Sequence, residues 1–415
     1  MLSVYNLLIK VYGFSIRLAG LFSPKARRWW QGRSRLWTII AAAGQKLNRP
    51  LWIHCASLGE FEQGRPLIEE IKKRFPNLPI LLTFFSPSGF EIRKNYPLAD
   101  EILYLPLDTR TNAIRFLHLI NPRSAIFIKY DFWFNFLNQL HHRSIPFIYV
   151  SVVMCEKHFL LRPWLRSLLD ILSRANHIFV QDELTAQCLG SKEISQIDAV
   201  GDTRIDRVLQ LQNETKRYPD LEVVTGERDA IIFGSVWPSD WDVIADFLGH
   251  LDSENYLAIV APHEINDKSL AWWVDKLGDS TQRLSRLSPS PEVSKVLVDT
   301  IGDLAYLYRD AKLAFVGGGF DQGIHSILEP AAALVPVIFG PRHQKFREAQ
   351  ALIDLDVARS VETNGDFQKA ANYFLHEAKN ESLKQGLNAF LSSSKGATRK
   401  IIDYLVAENL LHEKE

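Results

Sequence analysis

Short apolar segments alternate with helical patterns along almost the whole chain, and this alternation restricts the fold more than any other feature. The first half holds six apolar segments with the length of buried strands, at residues 51–55, 80–83, 101–104, 125–129, 147–150 and 177–180. Helical patterns separate them, for example at residues 64–74, 111–120 and 132–141. Because this alternation is typical of parallel sheets wrapped by helices, it predicts a doubly wound, Rossmann-like α/β domain.

A second series of strands follows a break in the pattern at residues 210–228, which are polar. It comprises residues 230–234, 257–261, 296–299, 313–317 and 335–339. A chain of 415 residues is long enough for two such domains. We predict an N-terminal segment at 1–35, a first domain at 36–215 and a second at 216–415. The C-terminal residues 366–414 are expected to be helical and to pack back on the first domain. Ligands should bind beyond the carboxyl ends of the strands, in the cleft between the domains.

The N-terminal segment is unusually basic. Residues 1–59 contain nine Lys or Arg and no Asp or Glu, whereas the rest of the chain has 39 basic and 48 acidic residues. Residues 1–22 are largely apolar, and Ser23-Pro24 is expected to end a helix there. Lys10 and Arg17 interrupt the apolar run, so it is a poor candidate for a membrane span.

Cations then alternate with indoles from Lys25 to Arg35, with Trp29 and Trp30 among them. This mixture suits the headgroup layer of an anionic membrane; an ordinary packed helix with a solvated loop is the alternative. No nucleic-acid recognition module accompanies the basic residues, so nucleic acid is not expected as a partner. The three cysteines show no metal spacing, which fits a reducing cytoplasm. We therefore expect a protein on the cytoplasmic face of a membrane, either peripheral or anchored by its N-terminal helix.

A glycine-rich segment follows the strand at 313–317. Its glycines are Gly317, Gly318, Gly319 and Gly323. Glycines between a strand and a helix let the backbone approach a phosphate, and a helix starting near Ser326 would offer free N–H groups. The carboxylate of Glu329, one turn into that helix, could accept hydrogen bonds from both hydroxyls of a ribose. The pattern also fits a tight turn in an ordinary α/β domain, but His325 and Glu329 favour a nucleotide site.

Other strand ends of the first domain also carry polar residues. Glu60 follows the strand at 51–55 near a helix start, where a carboxylate could act as a base or merely complement the helix dipole. After the next strand, Ser86, Ser88 and Gly89 could hold a sugar or a phosphate, or form a plain turn. Asp131 shares a face with Lys129 beyond the strand at 125–129, and Trp133 is expected in the core.

In the second domain, Ser235 and the pair Pro262-His263 lie at comparable strand ends. His263 could donate a hydrogen bond to a phosphate, although a lone histidine is usually structural.

Together these segments resemble the Kdo transferase family, which adds 3-deoxy-D-manno-octulosonic acid (Kdo) to the lipid A precursor in lipopolysaccharide synthesis. The resemblance covers nearly the whole chain. The segments that carry it are Trp52-Ile53-His54-Cys55-Ala56-Ser57-Leu58-Gly59-Glu60, Tyr104-Leu105-Pro106-Leu107-Asp108, Asp299-Thr300-Ile301-Gly302-Asp303-Leu304, and the glycine segment from Val316 to His325.

The resemblance implies an inverting, metal-independent GT-B glycosyltransferase that needs no cofactor. It would move Kdo from the donor CMP-Kdo to lipid IVA, the lipid A precursor, at the bacterial inner membrane. Glu60 would be the general base, and Asp131 a second functional carboxylate. The acceptor would be bound in the first domain by Ser57, Gly59, Ser86, Ser88 and Gly89. The donor would be bound in the second domain by Ser235, Pro262, His263, Gly317, Gly318, Gly319, Gly323, His325, Ser326 and Glu329.

The chain departs from the family pattern at three places. Lys129-Tyr130-Asp131 stands where many members have Glu-Thr-Glu, His263 stands where many have Arg, and Ser326 replaces a common Asn. Two other functions stay open at this point. One is a nucleotide-sugar epimerase, or another GT-B enzyme that uses a different sugar nucleotide and would not need the N-terminal segment. The other is a non-catalytic membrane scaffold that has kept the fold.

Overall fold

The computed structural model describes residues 2–129, 131–154, 162, 165–214, 216–290, 292–321 and 323–411. The chain divides into two compact units, Met1–Asp206 with Ser394–Glu415, and Arg207–Ser393. Each unit is built on a parallel sheet of seven strands. The C-terminal segment therefore folds with the first half of the chain.

The first unit alternates strands and helices in the predicted manner. Its strands are β1 (Leu51–Cys55), β2 (Ile80–Phe84), β3 (Glu101–Tyr104), β4 (Ser124–Ile128), β5 (Phe147–Val152), β6 (His177–Val180) and β7 (Ile197–Ala199). Its helices begin with α1 (Leu2–Ala19), α2 (Pro24–Gln31), α3 (Leu36–Lys46), α4 (Leu58–Arg74), α5 (Pro87–Arg93) and α6 (Arg110–Ile120). They continue with α7 (Phe134–His142), α8 (Arg166–Leu172) and α9 (Glu183–Gly190), and α10 (Thr203–Asn213) leads into the second unit.

The second unit repeats this arrangement. Its strands are β8 (Asp229–Val236), β9 (Tyr256–Pro262), β10 (Thr281–Arg283), β11 (Lys295–Leu297), β12 (Ala311–Val316), β13 (Val337–Phe339) and β14 (Ala358–Ser360). Its helices are α11 (Pro219–Thr225), α12 (Trp241–Gly249), α13 (Asp267–Leu277), α14 (Leu304–Leu307), α15 (Leu328–Ala332), α16 (Arg347–Asp354), α17 (Asn364–Asn372) and α18 (Asn380–Ser394). The last helix, α19 (Ala397–Ala407), belongs to the first unit.

The order of the strands places a crevice at the same point of each sheet. The first sheet runs β3-β2-β1-β4-β5-β6-β7 and the second β10-β11-β9-β8-β12-β13-β14. The chain thus winds in opposite directions from β1 and from β8. In sheets of this topology, the loops that leave the two strands at the switch point, here β1 and β4 or β8 and β12, diverge at the carboxyl ends, where ligands usually bind.

Helices cover both faces of the first sheet, so its central strands are buried along their whole length and are mostly apolar. On one face, Leu67 and Ile71 of α4 share a core with Ile401 and Leu405 of α19. The C-terminal helix therefore completes the core of the first unit.

A buried carboxylate attaches α1 to the first unit. Asp108 accepts hydrogen bonds from the Tyr5 hydroxyl (2.6 Å) and from the backbone N–H groups of Asn135 (3.0 Å) and Phe136 (2.9 Å). It therefore satisfies the N-terminus of α7 and holds α1 at the same time. Burial raises the pKa of Asp108 to about 6, although these hydrogen bonds act in the opposite direction.

Two residues of the predicted membrane-docking segment are turned into the unit. The Arg33 guanidinium lies 3.8 Å from the centre of the Trp29 ring and donates to the carbonyl oxygens of Phe85 (2.8 Å) and Leu105 (3.1 Å). Trp29 is only 5% exposed. Trp29 and Arg33 therefore pack within the protein, as in the alternative of an ordinary packed helix, and do not face a membrane surface.

The first helix does not end where the sequence suggested. It ends at Ala19, and Ser23 instead begins α2, accepting a hydrogen bond from the N–H of Ala26. In the part of the chain that the structure describes, no single helix is long and apolar enough to cross a membrane. The segments Ser3–Ala19 and Pro24–Gln31, bent by 118°, pass that test only as a pair.

The predicted fold class is confirmed, with strands at or near all the predicted places. Three edge strands, β7, β10 and β14, were not predicted; each has only three residues. The C-terminal segment is not helical throughout, because turns interrupt it and α19 ends at Ala407. Residues 412–414 of that prediction lie outside the described residues.

Candidate active site

Glu60 lies in the first turn of α4, directly beyond the carboxyl end of β1. Ser57 occupies the N-cap position, but its hydroxyl donates to Glu60 Oε2 instead of capping the helix backbone. Oε1 of Glu60 has no hydrogen bond to the described residues, and the side chain is half-buried. One carboxylate oxygen is thus oriented by Ser57, and the other can accept a proton.

The residues predicted after β2 lie beside this turn. The backbone N–H of Ser86 donates to the Ala56 oxygen at 2.7 Å, which joins the loops after β1 and β2. Gly89 allows this approach, because a Cβ there would lie 2.3 Å from the Phe84 ring and 3.0 Å from the carbonyl carbon of Ser57. The structure therefore brings Ser57, Ser86 and Gly89 together.

The hydroxyl groups after β2 are engaged in a helix cap. Ser86 Oγ accepts from the N–H of Ser88 at 3.3 Å and lies 3.0 Å from Ser88 Oγ, at the start of α5. The turn interpretation of this segment therefore accounts for both hydroxyls. Gly59 is exposed, and an added Cβ would meet only Ser57 Oγ at 3.8 Å.

A second polar group lies where β1 and β4 end. The wholly buried His54 contacts Thr83 Oγ1 through Nδ1 (2.8 Å) and accepts from the Trp133 indole N–H through Nε2 (2.9 Å). Asp131 Oδ2 lies 3.0 Å from the same Nε2, yet it is buried without a hydrogen bond to the described residues. The indole and the carboxylate compete for one nitrogen, so Asp131 keeps an unsatisfied acceptor at the crevice. Trp133, predicted only as a core residue, also makes this polar contact.

The glycines after β12 permit close packing. A Cβ on Gly317 would lie 2.5 Å from Asp240 Oδ2, and one on Gly319 would lie 2.6 Å from Gly340 Cα. The N–H of Gly318 donates to Asp240 at 3.1 Å, and burial raises the pKa of this carboxyl. The N–H of Gly317 is bonded to the oxygen of Gly234. These two N–H groups are used within the protein and are not free for a phosphate.

Three aromatic side chains meet at the carboxyl ends of β8, β9 and β12. The His263 ring is stacked on Trp237, with centroids 4.3 Å apart, and on His325, at 4.2 Å. The Trp237 indole N–H donates to His325 Nε2 at 2.9 Å. Burial, and then the neighbouring His263, lower the pKa of His325 to about 4. Burial also lowers the pKa of His263.

The remaining predicted donor residues lie within four residues of Trp237, His263 or His325 in the sequence. Ser235 lies one residue before the end of β8, in the left-handed region (φ 52°), and Pro262 is buried at the end of β9. The helix predicted to start near Ser326 begins instead at Leu328 and has five residues, which leaves Ser326 exposed in the preceding loop. Glu329 is half-buried in α15. Burial of the Tyr308 hydroxyl, and secondly the charge of Glu329, raise the pKa of that hydroxyl.

Four side chains of these crevices were not among the predicted site residues: His54, Trp133, Trp237 and Asp240. Each lies at a strand end or in the loop that follows it; His54 lies in a segment that carries the family resemblance, and Trp133 was expected in the core. Their pairing depends on the strand order, which the sequence does not reveal. Among the described residues, no group of three or more His, Cys, Asp or Glu side chains is arranged to hold a metal ion.

A chain with two doubly wound parallel sheets, one in each unit, has the architecture of the GT-B class of fold. Solved structures of UDP-N-acetylglucosamine 2-epimerases share it. The Neisseria meningitidis protein bound to UDP-GlcNAc has a TM-score of 0.60 at 14% identity, over 86% of this chain and 100% of the other. The Methanocaldococcus jannaschii protein has a TM-score of 0.55 at 15% identity, over 86% and 99%. At these identities the likeness shows the fold alone.

Sequence comparison adds similarity to one named family. Residues 28–207 match the family described as 3-deoxy-D-manno-octulosonic-acid transferase (kdotransferase). Proteins named 3-deoxy-D-manno-octulosonic acid transferase are similar over most of the chain. The Haemophilus influenzae protein is 25% identical over 93% of both chains, and the Bordetella pertussis protein is 24% identical over 94% of this chain and 98% of its own. The Chlamydia muridarum protein is 27% identical over 83% and 82%. These similarities, to the family model over residues 28–207 and to the named proteins over most of the chain, agree with the resemblance to Kdo transferases seen in the motifs.

Proposed function

We propose that this protein transfers Kdo from CMP-Kdo to lipid IVA with inversion at the anomeric carbon. The observation that carries the proposal is the placement of Glu60 within the segment that matches the family, at residues 28–207. Glu60 is a carboxylate at a switch-point crevice, with one oxygen fixed by Ser57. The named relatives support Kdo as the transferred sugar.

In the proposed mechanism, a hydroxyl of the lipid acceptor attacks the anomeric carbon of Kdo. Glu60 accepts the proton of that hydroxyl as the new bond forms. The bond between the anomeric carbon and the CMP phosphate oxygen breaks, and CMP leaves with the bonding electrons. N–H donors of His263 and His325 would stabilise the charge that develops on the phosphate.

Asp131 has a separate role in this proposal. Its Oδ2 is buried without a hydrogen bond to the described residues, at the crevice between β1 and β4. A hydroxyl of the acceptor sugar would supply the missing donor, because an unsatisfied buried acceptor is costly. Asp131 would thus help to orient the acceptor beside Glu60.

The direct test is transfer to a defined acceptor. Purified full-length protein with lipid IVA and CMP-Kdo generated in situ should give products heavier by one or more Kdo units in mass spectrometry. No mass gain, despite CMP binding, would contradict the acceptor assignment. Since the solved structures with this fold include epimerases, UDP-GlcNAc is tested in a separate assay. Epimerisation of UDP-GlcNAc, together with no transfer to lipid IVA, would favour the epimerase function over the proposed Kdo transfer.

The N-terminal helices support a further part of the proposal, docking on the cytoplasmic face of an anionic bacterial inner membrane. They expose a group of large apolar side chains: Val4, Leu7, Leu8, Val11, Phe14, Leu18, Leu21, Phe22 and Trp30. Exposed cations accompany them, namely Lys10, Arg17, Lys25, Arg27 and Arg28. Apolar side chains that enter the acyl boundary, next to cations that attract lipid headgroups, favour an interfacial position.

Removing two exposed phenylalanines should weaken membrane binding by about tenfold, because each buries apolar area in the lipid. Phe14 and Phe22 are 63% and 89% exposed, so Phe14→Ser with Phe22→Ser should leave the fold intact. The measurement is co-sedimentation with vesicles of phosphatidylethanolamine and phosphatidylglycerol. Val223→Ser with Ile301→Ser, at 64% and 89% exposed positions of the second unit, is the matched control. Equal binding by both double variants would contradict docking through the N-terminal helices.

A further inference from the structure

Trp237 forms an unusual hydrogen bond with His325. The indole Nε1 lies 2.9 Å from His325 Nε2, and the two rings are nearly coplanar, with an interplanar angle of 9°. The indole N–H can only donate, so Nε2 of the imidazole must accept through its lone pair, which lies in the ring plane. Coplanar rings give this bond a favourable direction.

This bond decides where the imidazole carries its proton. A neutral imidazole has one N–H and one acceptor nitrogen, and here the acceptor is Nε2. The proton must therefore be on Nδ1. Among the described residues, Nδ1 has no hydrogen-bond partner, so this N–H can be donated to a ligand.

Neighbouring groups hold the His325 ring in place. His263 is stacked on one face at 4.2 Å. The edge of the ring lies against the glycine turn, since a Cβ on Gly318 would be 3.2 Å from Cδ2 and 3.3 Å from Nε2. Asp240 accepts from the backbone N–H groups of both Trp237 (2.7 Å) and Gly318 (3.1 Å). One carboxylate therefore ties the loop that carries Trp237 to the turn that precedes His325.

We propose that Trp237 is a positioning residue, which keeps His325 neutral with its proton on Nδ1, so that Nδ1–H donates to a phosphate oxygen of the nucleotide donor. The identity of that ligand rests on the proposed function. The hydrogen bond by which Trp237 fixes the tautomer of His325 is independent of it. Trp237 itself has no contact with the reacting atoms in this proposal. It acts through the imidazole.

The charges around His325 agree with this role. The titratable groups beside it are His263, stacked on the ring, and Asp240, which is bonded to the adjoining backbone. Protonation of His325 would place an N–H on Nε2 against the indole N–H. The imidazole should therefore stay neutral, with the same tautomer, over the pH range in which an ordinary histidine titrates.

The test replaces Trp237 by Phe, which keeps an aromatic ring for stacking but removes the donor. Full-length protein labelled with ¹⁵N-histidine is titrated by NMR, and the His325 signals are assigned by their loss in His325→Gln. In the wild type, His325 should show the Nδ1–H tautomer. In Trp237→Phe, its pKa should rise by about one unit, and the Nε2–H tautomer should appear, because the hydrogen bond to the neutral form is lost. Trp272→Phe, which removes an indole from α13 of the same unit, should change neither property.

Calorimetric titration with CMP provides the second readout. Trp237→Phe should bind CMP about threefold to tenfold more weakly than the wild type or Trp272→Phe. An unchanged tautomer and pKa of His325 in Trp237→Phe would overturn the proposal. A changed tautomer of His325 in Trp237→Phe, with unchanged affinity for CMP, would overturn the proposed hydrogen bond from His325 Nδ1–H to the phosphate. Failure of the wild type to bind CMP would contradict the proposed function. That outcome is separate from a failure of the proposed role of Trp237, because the NMR titration of His325 needs no nucleotide.

Discussion

Replacing Glu60 by glutamine is expected to slow Kdo transfer by about 10²–10⁴-fold, the usual contribution of a general base. Glutamine keeps the size of the side chain and can still contact Ser57, but it cannot take the proton of the attacking hydroxyl. Since Glu60 belongs to the first unit, CMP binding should be unchanged. Single-turnover transfer to lipid IVA and calorimetric titration with CMP measure the two quantities separately.

Glu62→Gln is the matched control for this substitution. Glu62 lies on the same helix, two residues further on, and pairs with Arg93 at 2.8 Å. Glu62 also lies 3.8 Å from Arg65. Residues two apart on a helix point to different sides, so this variant should weaken only these two partly exposed ion pairs and transfer at the wild-type rate. Glu60 also complements the dipole of α4, a contribution of about 0.3–1 kcal/mol. Near-wild-type transfer by Glu60→Gln, with loss in Asp131→Asn, would move the base from Glu60 to Asp131.

The fold could be predicted because its central strands are buried at every position and mostly apolar. Strands β1, β2, β4 and β5 are buried on both faces, so each appears in the sequence as a mostly apolar segment, interrupted only by His54, Thr83, Ser124 and Ser151 respectively. The strand β7, by contrast, reads Ile-Asp-Ala and lies at the edge of its sheet with no buried residue. Such a segment has no pattern of its own and becomes a strand only because β6 offers hydrogen bonds.

The predicted site residues fall into two kinds. Glu60 and the glycines could be found because their positions relative to a strand and a helix carry the signal. The partners of His54 and His325 could not, because each is an indole from another strand end, 79 and 88 residues away in sequence. Arg33 shows the same limit, since an arginine beside tryptophans suits either a lipid surface or an aromatic core. Tertiary contacts with Phe85 and Leu105 decide for the core.

The glycine turn of the second unit should be intolerant of even one methyl group. In Gly318→Ala, CMP binding is expected to weaken by more than about tenfold. Gly318 has φ 91°, and a non-glycine residue in the left-handed region costs about 1–2 kcal/mol. The added Cβ would also lie 2.5 Å from the Gly323 oxygen and 3.2 Å from the His325 ring. The turn must therefore shift, and His325 moves away from the indole of Trp237. Calorimetric titration with CMP measures the loss.

Gly249→Ala separates this local effect from a general effect of alanine. Gly249 is the last residue of α12 in the same unit, and a Cβ there would meet no atom within 4 Å. The Gly249→Ala variant should bind CMP as tightly as the wild type. Because the clash in Gly318→Ala is confined to the second unit, the first unit should keep its stability and its membrane binding. If Gly318→Ala bound CMP as tightly as Gly249→Ala, the glycine turn and His325 would not form the donor site, and the nucleotide would have to bind elsewhere in the protein.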